Sequence, residues 1–234
     1  MPRRNGSYGI DAPYVPALMA AGLLACIGLM AFAHVGGLWI TVVAIAAILA
    51  LYLHTTLHGK FAVWQELLDA QPWRGDEDVL DLGCGRGAIL LMAAAHLPHG
   101  RATGIDIWSS KDQSGNAMEV TARNAEAEGV ADRVDLRTAD MRELPFADAS
   151  FDLVISNVAI HNIDDADGRD RAIDEAWRVL RPGGRLLIAD ISKSAQYLQH
   201  LRARGIHGER RGLGWRTWWG GPWMRTMLVA ATKR

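Results

Sequence analysis

Cysteine is nearly missing from this 234-residue chain: there are two, Cys26 and Cys84, with no Cys-x-x-Cys pair and no Cys/His cluster. A disulfide framework and a structural zinc site are therefore excluded. An excess of charge of either sign is missing as well, since 25 Lys and Arg stand against 26 Asp and Glu. Gross charge thus gives no argument for a nucleic-acid partner. Repeats and low-complexity stretches are lacking. The most telling absence is local: residues 16–53 contain no Asp, Glu, Lys or Arg.

That uncharged front segment divides at Gly36-Gly37 into 16–35 and 38–53. A bilayer core of about 30 Å asks for about 20 apolar residues per helix, with about 17 as the lower limit. The first half is long enough, and the second, extended to His54, is marginal. Three readings compete. Arg3-Arg4, an apolar run and Ala31-Phe32-Ala33 mimic a secretory leader, but a second apolar segment follows at once. A pair of buried soluble helices would need a catalytic fold with a face for them. A membrane hairpin fits best, so the chain is expected to comprise a cytoplasmic tail (1–15), a transmembrane hairpin in the lipid bilayer (16–54), a linker and lid helix (55–74) and a catalytic domain (75–234).

Arg3 and Arg4 before the hairpin and Lys60 after it put both ends, and the catalytic domain, in the cytoplasm. Small residues such as Ala21, Gly22, Ala25 and Gly28 on the first helix, and Ala44, Ala46 and Ala47 on the second, allow close backbone approach, within the hairpin or in a homodimer. In the linker, Phe61, Trp64, Leu67 and Leu68 recur at helical spacing and predict an amphipathic helix over Thr55 to Asp69. His54 and His58 are four apart, but no metal is predicted.

Past the linker the pattern changes to strands ending in polar residues. Residues 78–87, Asp-Val-Leu-Asp-Leu-Gly-Cys-Gly-Arg-Gly, run an apolar strand into three alternating glycines, Gly83, Gly85 and Gly87, at the mouth of a helix over Ala88 to Leu97. Such a loop bends tightly and lets main-chain N–H groups come close to a ligand. A second strand, Arg101 to Asp106, ends in a carboxylate about twenty residues on, where an open α/β sheet sets an acid against ribose hydroxyls. A third strand, Arg133 to Thr138, leads to Asp140-Met141, and a fourth, Phe151 to Ser156, leads to Asn157. Helices are expected at Ser114 to Glu128 and Arg169 to Leu180, the latter stopped by Pro182-Gly183-Gly184. The fold class is α/β, a Rossmann-like, doubly wound, seven-stranded sheet with a C-terminal antiparallel hairpin, here drawn between Trp215–Trp219 and Met224–Ala231.

DLGCGRG at 81–87, GID at 104–106, ADMRELPF at 139–146, SNVAIHNI at 156–163 and WRVLRPGGRLLIAD at 177–190 resemble the class I S-adenosylmethionine (SAM)-dependent methyltransferases, in particular the small-molecule and lipid branch with the quinone C-methyltransferases. The resemblance covers roughly residues 75–234. It implies SAM as cofactor, with its methionine part on Gly83, Cys84, Gly85 and Gly87, the loop and ammonium supported by Asp81, the ribose on Asp106 beside Ile107, and the adenine amino group on Asp140 beside Met141. It also implies that the segment before the first strand forms a lid. Asn157 and His161 follow the fourth strand, where methyl group and acceptor would meet. His161 is the candidate for positioning the acceptor or removing a proton, the alternative being a pocket wall, and Asn157 is placed with both cofactor and reaction.

Competing readings are weighed on residues. Gly83-x-Gly85-x-x-Ala88 also satisfies a loose nicotinamide-site pattern, but Asp81 stands where pyrophosphate needs room and Arg181-Pro-Gly-Gly184 has no counterpart there. Cys84 as a nucleophile is disfavoured by its small-residue place in the loop. Asn157 is not followed by Pro-Pro-Tyr, which argues against nucleobase methylation, and the acids at 164–165 lack a partner pair for magnesium. From Leu201 onward eight basic residues face one acid, Glu209, and Arg210, Arg211, Arg216 interleave with Trp215, Trp218, Trp219 and Trp223. An anionic lipid surface suits that pattern, while tryptophans packing the terminal hairpin would explain it equally. The expected activity is methylation of a small lipophilic or amphipathic acceptor, such as a quinone, isoprenoid or lipid headgroup. A protein methyltransferase and a non-catalytic SAM-binding scaffold are the alternatives.

Overall fold

The structure, a computed structural model, describes residues 4–33, 35–109 and 115–234. Arg3 and the proposed helix start at Ser114 lie outside them. Two apolar helices come first, α1 (Tyr14–Phe32) and α2 (Trp39–His54). At about 1.5 Å per residue they are about 28 and 24 Å long. α2 does not stop at His54. A π turn, Thr55–Gly59, carries it into α3 (Lys60–Asp69) as one continuous 31-residue helix, Trp39–Asp69. The linker is therefore the lower half of the second apolar helix rather than a separate element.

An α/β domain follows as β1 (Asp78–Leu82), α4 (Leu90–Ala94), β2 (Arg101–Asp106), α5 (Met118–Glu128), β3 (Val134–Thr138), β4 (Phe151–Asn157), α6 (Ala166–Arg178), β5 (Leu180–Asp190), α7 (Ser194–Ala203), β6 (Gly208–Gly212) and β7 (Met227–Thr232). The seven strands lie in the order β3-β2-β1-β4-β5-β7-β6. β1 to β5 run parallel, and β7 is antiparallel to both β5 and β6. Successive strand residues face opposite sides, which explains two cores. Val79, Leu153 and Ile155 pack with Trp64, Leu68 and Leu90 on one face, whereas Leu80, Val154 and Ile188 pack with Ile173, Ala176 and Tyr197 on the other. Strands buried on both faces read as continuous apolar runs, hence the legibility of β1 and β4.

Local chemistry marks the helix ends, with α6 starting at Ala166 rather than Arg169 and stopping at Arg178, ahead of Pro182-Gly183-Gly184. Asp165 Oδ1 accepts from the Gly168 N–H at 2.6 Å to start α6, the usual N-cap arrangement. Gly129 closes α5 with φ 71°. Arg181-Pro-Gly-Gly184 is an irregularity within β5, bridging the jump in register from Leu180 to Arg185.

Two expectations need correction. The terminal hairpin pairs β6 (Gly208–Gly212) with β7 (Met227–Thr232). The Trp-rich stretch assigned to its first strand is instead an excursion between the two, with 3₁₀ turns at Trp215–Thr217 and Pro222–Met224 and a single bridge, Trp218 to Arg225. The helix after the glycines is also shorter than Ala88 to Leu97, because the chain there first makes turns.

Residues 5–11 cross the domain as a strap: the Asn5 and Gly6 N–H groups and the Tyr8 hydroxyl all donate to Glu128 Oε1, at 2.8–2.9 Å. Ser7 and Asn124 exchange two bonds, and the Tyr8 ring meets Phe61 edge-on at 5.3 Å.

Candidate active site

The carboxyl ends of β1, β2 and β4 open into a cavity of about 520 Å³, at the point where strand order reverses and α/β folds bind ligands. All of the predicted residues except Gly87 line it: Asp81, Gly83, Cys84, Gly85, Asp106, Ile107, Asp140, Met141, Asn157 and His161. Gly87 sits behind the loop, against Thr121 and Leu91.

Gly83 is required twice over. Its φ is +73°, and a Cβ there would lie 2.4 Å from the Ala159 Cβ, so any side chain would both strain the backbone and close the cleft. The loop amides, by contrast, are occupied within the protein. Gly83 and Cys84 both donate to the Ile105 carbonyl, Gly87 donates to the Cys84 carbonyl, and Gly85 donates to Asp106 Oδ2 at 2.8 Å. The expectation that these N–H groups meet the ligand is thereby revised: the loop offers close backbone approach, and the charges come from side chains.

Asp81 is the strongest of these. It is 2 % exposed, its Oδ1 has no partner, and burial followed by the nearby Asp106 charge pushes its pKa up to about 8. A carboxyl in that state lacks a cation, and the ammonium of an amino-acid ligand supplies one. Asp106 accepts from Gly85, from the Trp108 N–H at 2.6 Å and from Asn116 Nδ2 at 3.2 Å, which fixes both oxygens at the end of β2. Asp140 is held in a fork by Arg142, with Nη2 at 2.6 Å, and that hydrogen bonding keeps its carboxyl below the ordinary range. Burial, with the Asp81 and Asp106 charges, pushes the Cys84 thiol up, the reverse of what a nucleophile needs.

Beyond the glycines lies a second polar cluster. Asp190, fully buried at the end of β5, receives the His161 backbone N–H and the Tyr197 hydroxyl on Oδ2, both at 3.1 Å, and the Ile191 N–H on Oδ1. Its Oδ1 stands 2.7 Å from His161 Nδ1, within ion-pair distance though off-line for a hydrogen bond. Asn157 Oδ1 accepts from Trp64 Nε1 at 2.7 Å, tying α3 to the end of β4.

The far end of the cavity was not foreseen. Asp11 of the strap, Ala12, Tyr14 and Val15 of α1, Tyr52 of α2, Lys60, Trp219 and Met224 are among the residues that line it. Lys60, 2 % exposed, places Nζ 2.5 Å from Asp11 Oδ2, which also accepts from the Thr56 hydroxyl. Its charge is thus matched inside the protein. The same strand-end rule that picked out Asp106 would have found Asp190, whereas nothing in the local sequence signals Asp11.

Comparison with known proteins agrees with this geometry. Residues 79–184 match the family described as a methyltransferase domain. The ubiquinone/menaquinone biosynthesis C-methyltransferase of Roseobacter denitrificans is 34 % identical over 136 residues, 58 % of this chain and 51 % of that protein. The arsenite methyltransferase of Halobacterium salinarum is 36 % identical over 122 residues, 52 % of this chain and 29 % of that one. The chain spans about half or less of these relatives' length. Among solved structures, geranyl diphosphate C-methyltransferase from Streptomyces coelicolor superposes with a TM-score of 0.60 at 18 % identity, over 76 % of this chain and 81 % of that one, a likeness of fold. Over residues 79–184 the chain is thus similar to methyltransferase domains, and a solved geranyl diphosphate methyltransferase of the same fold is in complex with SAM. Asp81, with its unpartnered oxygen, and the Cβ-free surface of Gly83 fit that cofactor's charged end.

Proposed function

We propose that the chain is a membrane-tethered, cytoplasm-facing SAM-dependent methyltransferase acting on a small lipophilic or amphipathic acceptor of the quinone, isoprenoid or lipid-headgroup type. One observation carries the proposal: a single cavity runs from Asp81 and Asp106 at the glycine loop to Tyr14, Val15 and Tyr52 at the foot of two apolar helices. Those helices support a tether. Pro16 alone of α1 is buried among the described residues, and Leu18, Leu24, Phe32, Ile40 and Val43 are 60–88 % exposed. A core helix of a water-soluble protein would hide such residues. The Roseobacter and Streptomyces proteins, by their names, act on quinones and geranyl diphosphate, acceptors of the chemistry this cavity suits.

When bound, the cofactor supplies an electrophilic methyl group on a sulfonium. The protein's share is alignment, exclusion of water and, for acceptors that carry a proton at the reacting atom, its removal. Asp190 holds the His161 backbone N–H and lies beside Nδ1, so Nε2, on the other side of the ring, is the atom to take that proton. Asn157, anchored by Trp64, walls the same region.

Labelled SAM incubated with full-length protein and a membrane extract tests the reading. A methylated species in the lipid fraction is expected. Label confined to a protein band, or binding with no transfer, overturns it.

A further inference from the structure

The Trp-rich excursion between β6 and β7 climbs the second apolar helix step by step. Arg216 forms a two-pronged pair with Glu66, both contacts 2.7 Å. Its carbonyl lies where a Cβ on Gly59 would be, 1.7 Å away, so only glycine in the π turn admits it. Higher up, Thr55 donates to the Trp218 carbonyl at 2.8 Å, the Trp219 ring meets Tyr52 edge-on at 5.5 Å, and a Cβ added to Gly220 would meet Ile48 Cγ2 at 3.0 Å and Met19 Cε at 3.9 Å. Ile48 is six residues above the end of α2 and Met19 five above the start of α1, so the excursion reaches about 7–9 Å into the apolar hairpin. From Thr217 to Met224 it has no charged residue, and Arg216 and Arg225 flank it. At its tip Trp223 is 71 % exposed and Met224 39 %.

We propose that residues 217–224 are a flap immersed in the bilayer, at the boundary of headgroups and acyl chains, and that with Tyr14 and Val15 it frames a lateral opening through which the acceptor passes from the bilayer into the cavity. An uncharged aromatic tip with the charges kept at its two ends is what that depth selects, because tryptophan favours the interface. Trp219 and Met224 face the cavity and Trp223 faces outward, so one short segment touches both acceptor site and lipid. The inference rests on the membrane reading of α1 and α2.

Two spin labels separate the inference from that reading. In the full chain carrying Cys26→Ser, with the remaining Cys84 buried, single labels are placed by Leu24→Cys and by Trp223→Cys, and the protein is reconstituted into phosphatidylcholine–phosphatidylglycerol vesicles. Both labels are expected to be more accessible to oxygen than to a water-soluble nickel chelate, the label at 223 at the shallower depth. A membrane-buried label at 24 with an aqueous label at 223 overturns the flap and leaves the tether standing. Two aqueous labels overturn both, and spin–spin broadening at 223 assigns the tip to a second copy instead. For the opening itself, Trp223→Asp is expected to lower methyl transfer to membrane extract by about tenfold, by expelling the tip from the interface, with cofactor affinity unchanged. Undiminished transfer overturns it.

Discussion

Cofactor binding by this protein is expected to depend steeply on pH, through Asp81. Its carboxyl is buried, holds one unpartnered oxygen and titrates near pH 8 rather than in the ordinary carboxylate range, so the free protein carries a proton there at neutral pH. An ammonium about 3 Å from a carboxylate in an effective dielectric near 20 is worth about 5 kcal/mol, or about four pK units. Binding therefore drives the proton off. The sign follows: the proton must leave, so affinity rises with pH until the free-protein pKa is reached, and it levels off near pH 8, where the cofactor's own amino group begins to lose its charge. From the factor 1 + 10^(pKa − pH), affinity at about pH 6 is about twentyfold weaker than at about pH 7.5. Calorimetry at about pH 6.5 in two buffers of different protonation enthalpy should register close to one proton released per cofactor bound. Asp81→Asn, a neutral near-isostere of the protonated side chain, should keep the fold, flatten the pH dependence and weaken binding about 10- to 100-fold, the worth of a charge-assisted hydrogen bond. Flat affinity from pH 6 to 7.5 with no proton release would refute the assignment of Asp81 to the ammonium.

Three further outcomes follow from the same geometry. Gly83→Ala should cost about 1–3 kcal/mol of stability through its left-handed backbone and abolish cofactor binding by pressing on Ala159, read by thermal denaturation and calorimetry together. His161→Gln should lower turnover about 10²- to 10⁴-fold for an acceptor that must lose a proton while cofactor affinity stays within twofold (about 0.4 kcal/mol); equal loss of both would make His161 a wall of the cofactor site. Asp11→Ala leaves the buried Lys60 ammonium without its anion and should destabilise the protein by about 3 kcal/mol, measured by denaturant unfolding in detergent.

What could be read from the sequence depended on whether the cause was local. β2 announced itself fully, Arg101 to Asp106, because its apolar residues and terminal acid are contiguous. β6 did not, since Gly208-Glu-Arg-Arg-Gly212 has neither alternation nor β-branched residues. It is an edge strand held by β7, and charged side chains are how edges are kept from pairing further. The tryptophans at 215–219 imitated a strand by their aromatic content, when their partners are residues of α2 more than 160 positions earlier. The strap was invisible for a similar reason: Asn5-Gly6-Ser7 reads as turn chemistry, and its place is fixed by residues far along the chain, Glu128 and Asn124 at one end and Thr56 and Lys60 at Asp11. At the site, Asp81, Gly83, Asp106 and Asp140 follow from strand-end position, while the Asp190–Tyr197 support of His161 and the Lys60–Asp11 pair exist only in three dimensions.

That division has a chemical counterpart. The glycine-loop end of the cavity, where the cofactor is proposed to sit, is made of β1, β2 and the turns after β3 and β4, which apart from Asp78 lie inside residues 79–184, the part that matches the methyltransferase domain family. Most of the acceptor end is made of pieces outside that range: the strap through Asp11, the helix feet through Tyr14, Val15, Tyr52 and Lys60, and the excursion through Trp219 and Met224. A side chain altered there leaves Asp81 and Asp106 untouched, because no hydrogen bond of either carboxylate reaches it among the described residues. Sites without shared partners act additively. On the proposed function, substitution at Val15, Tyr52 or Met224 is therefore expected to change selectivity for the acceptor with cofactor affinity unchanged, while Gly59, which admits the Arg216 carbonyl, joins the excursion to the second apolar helix.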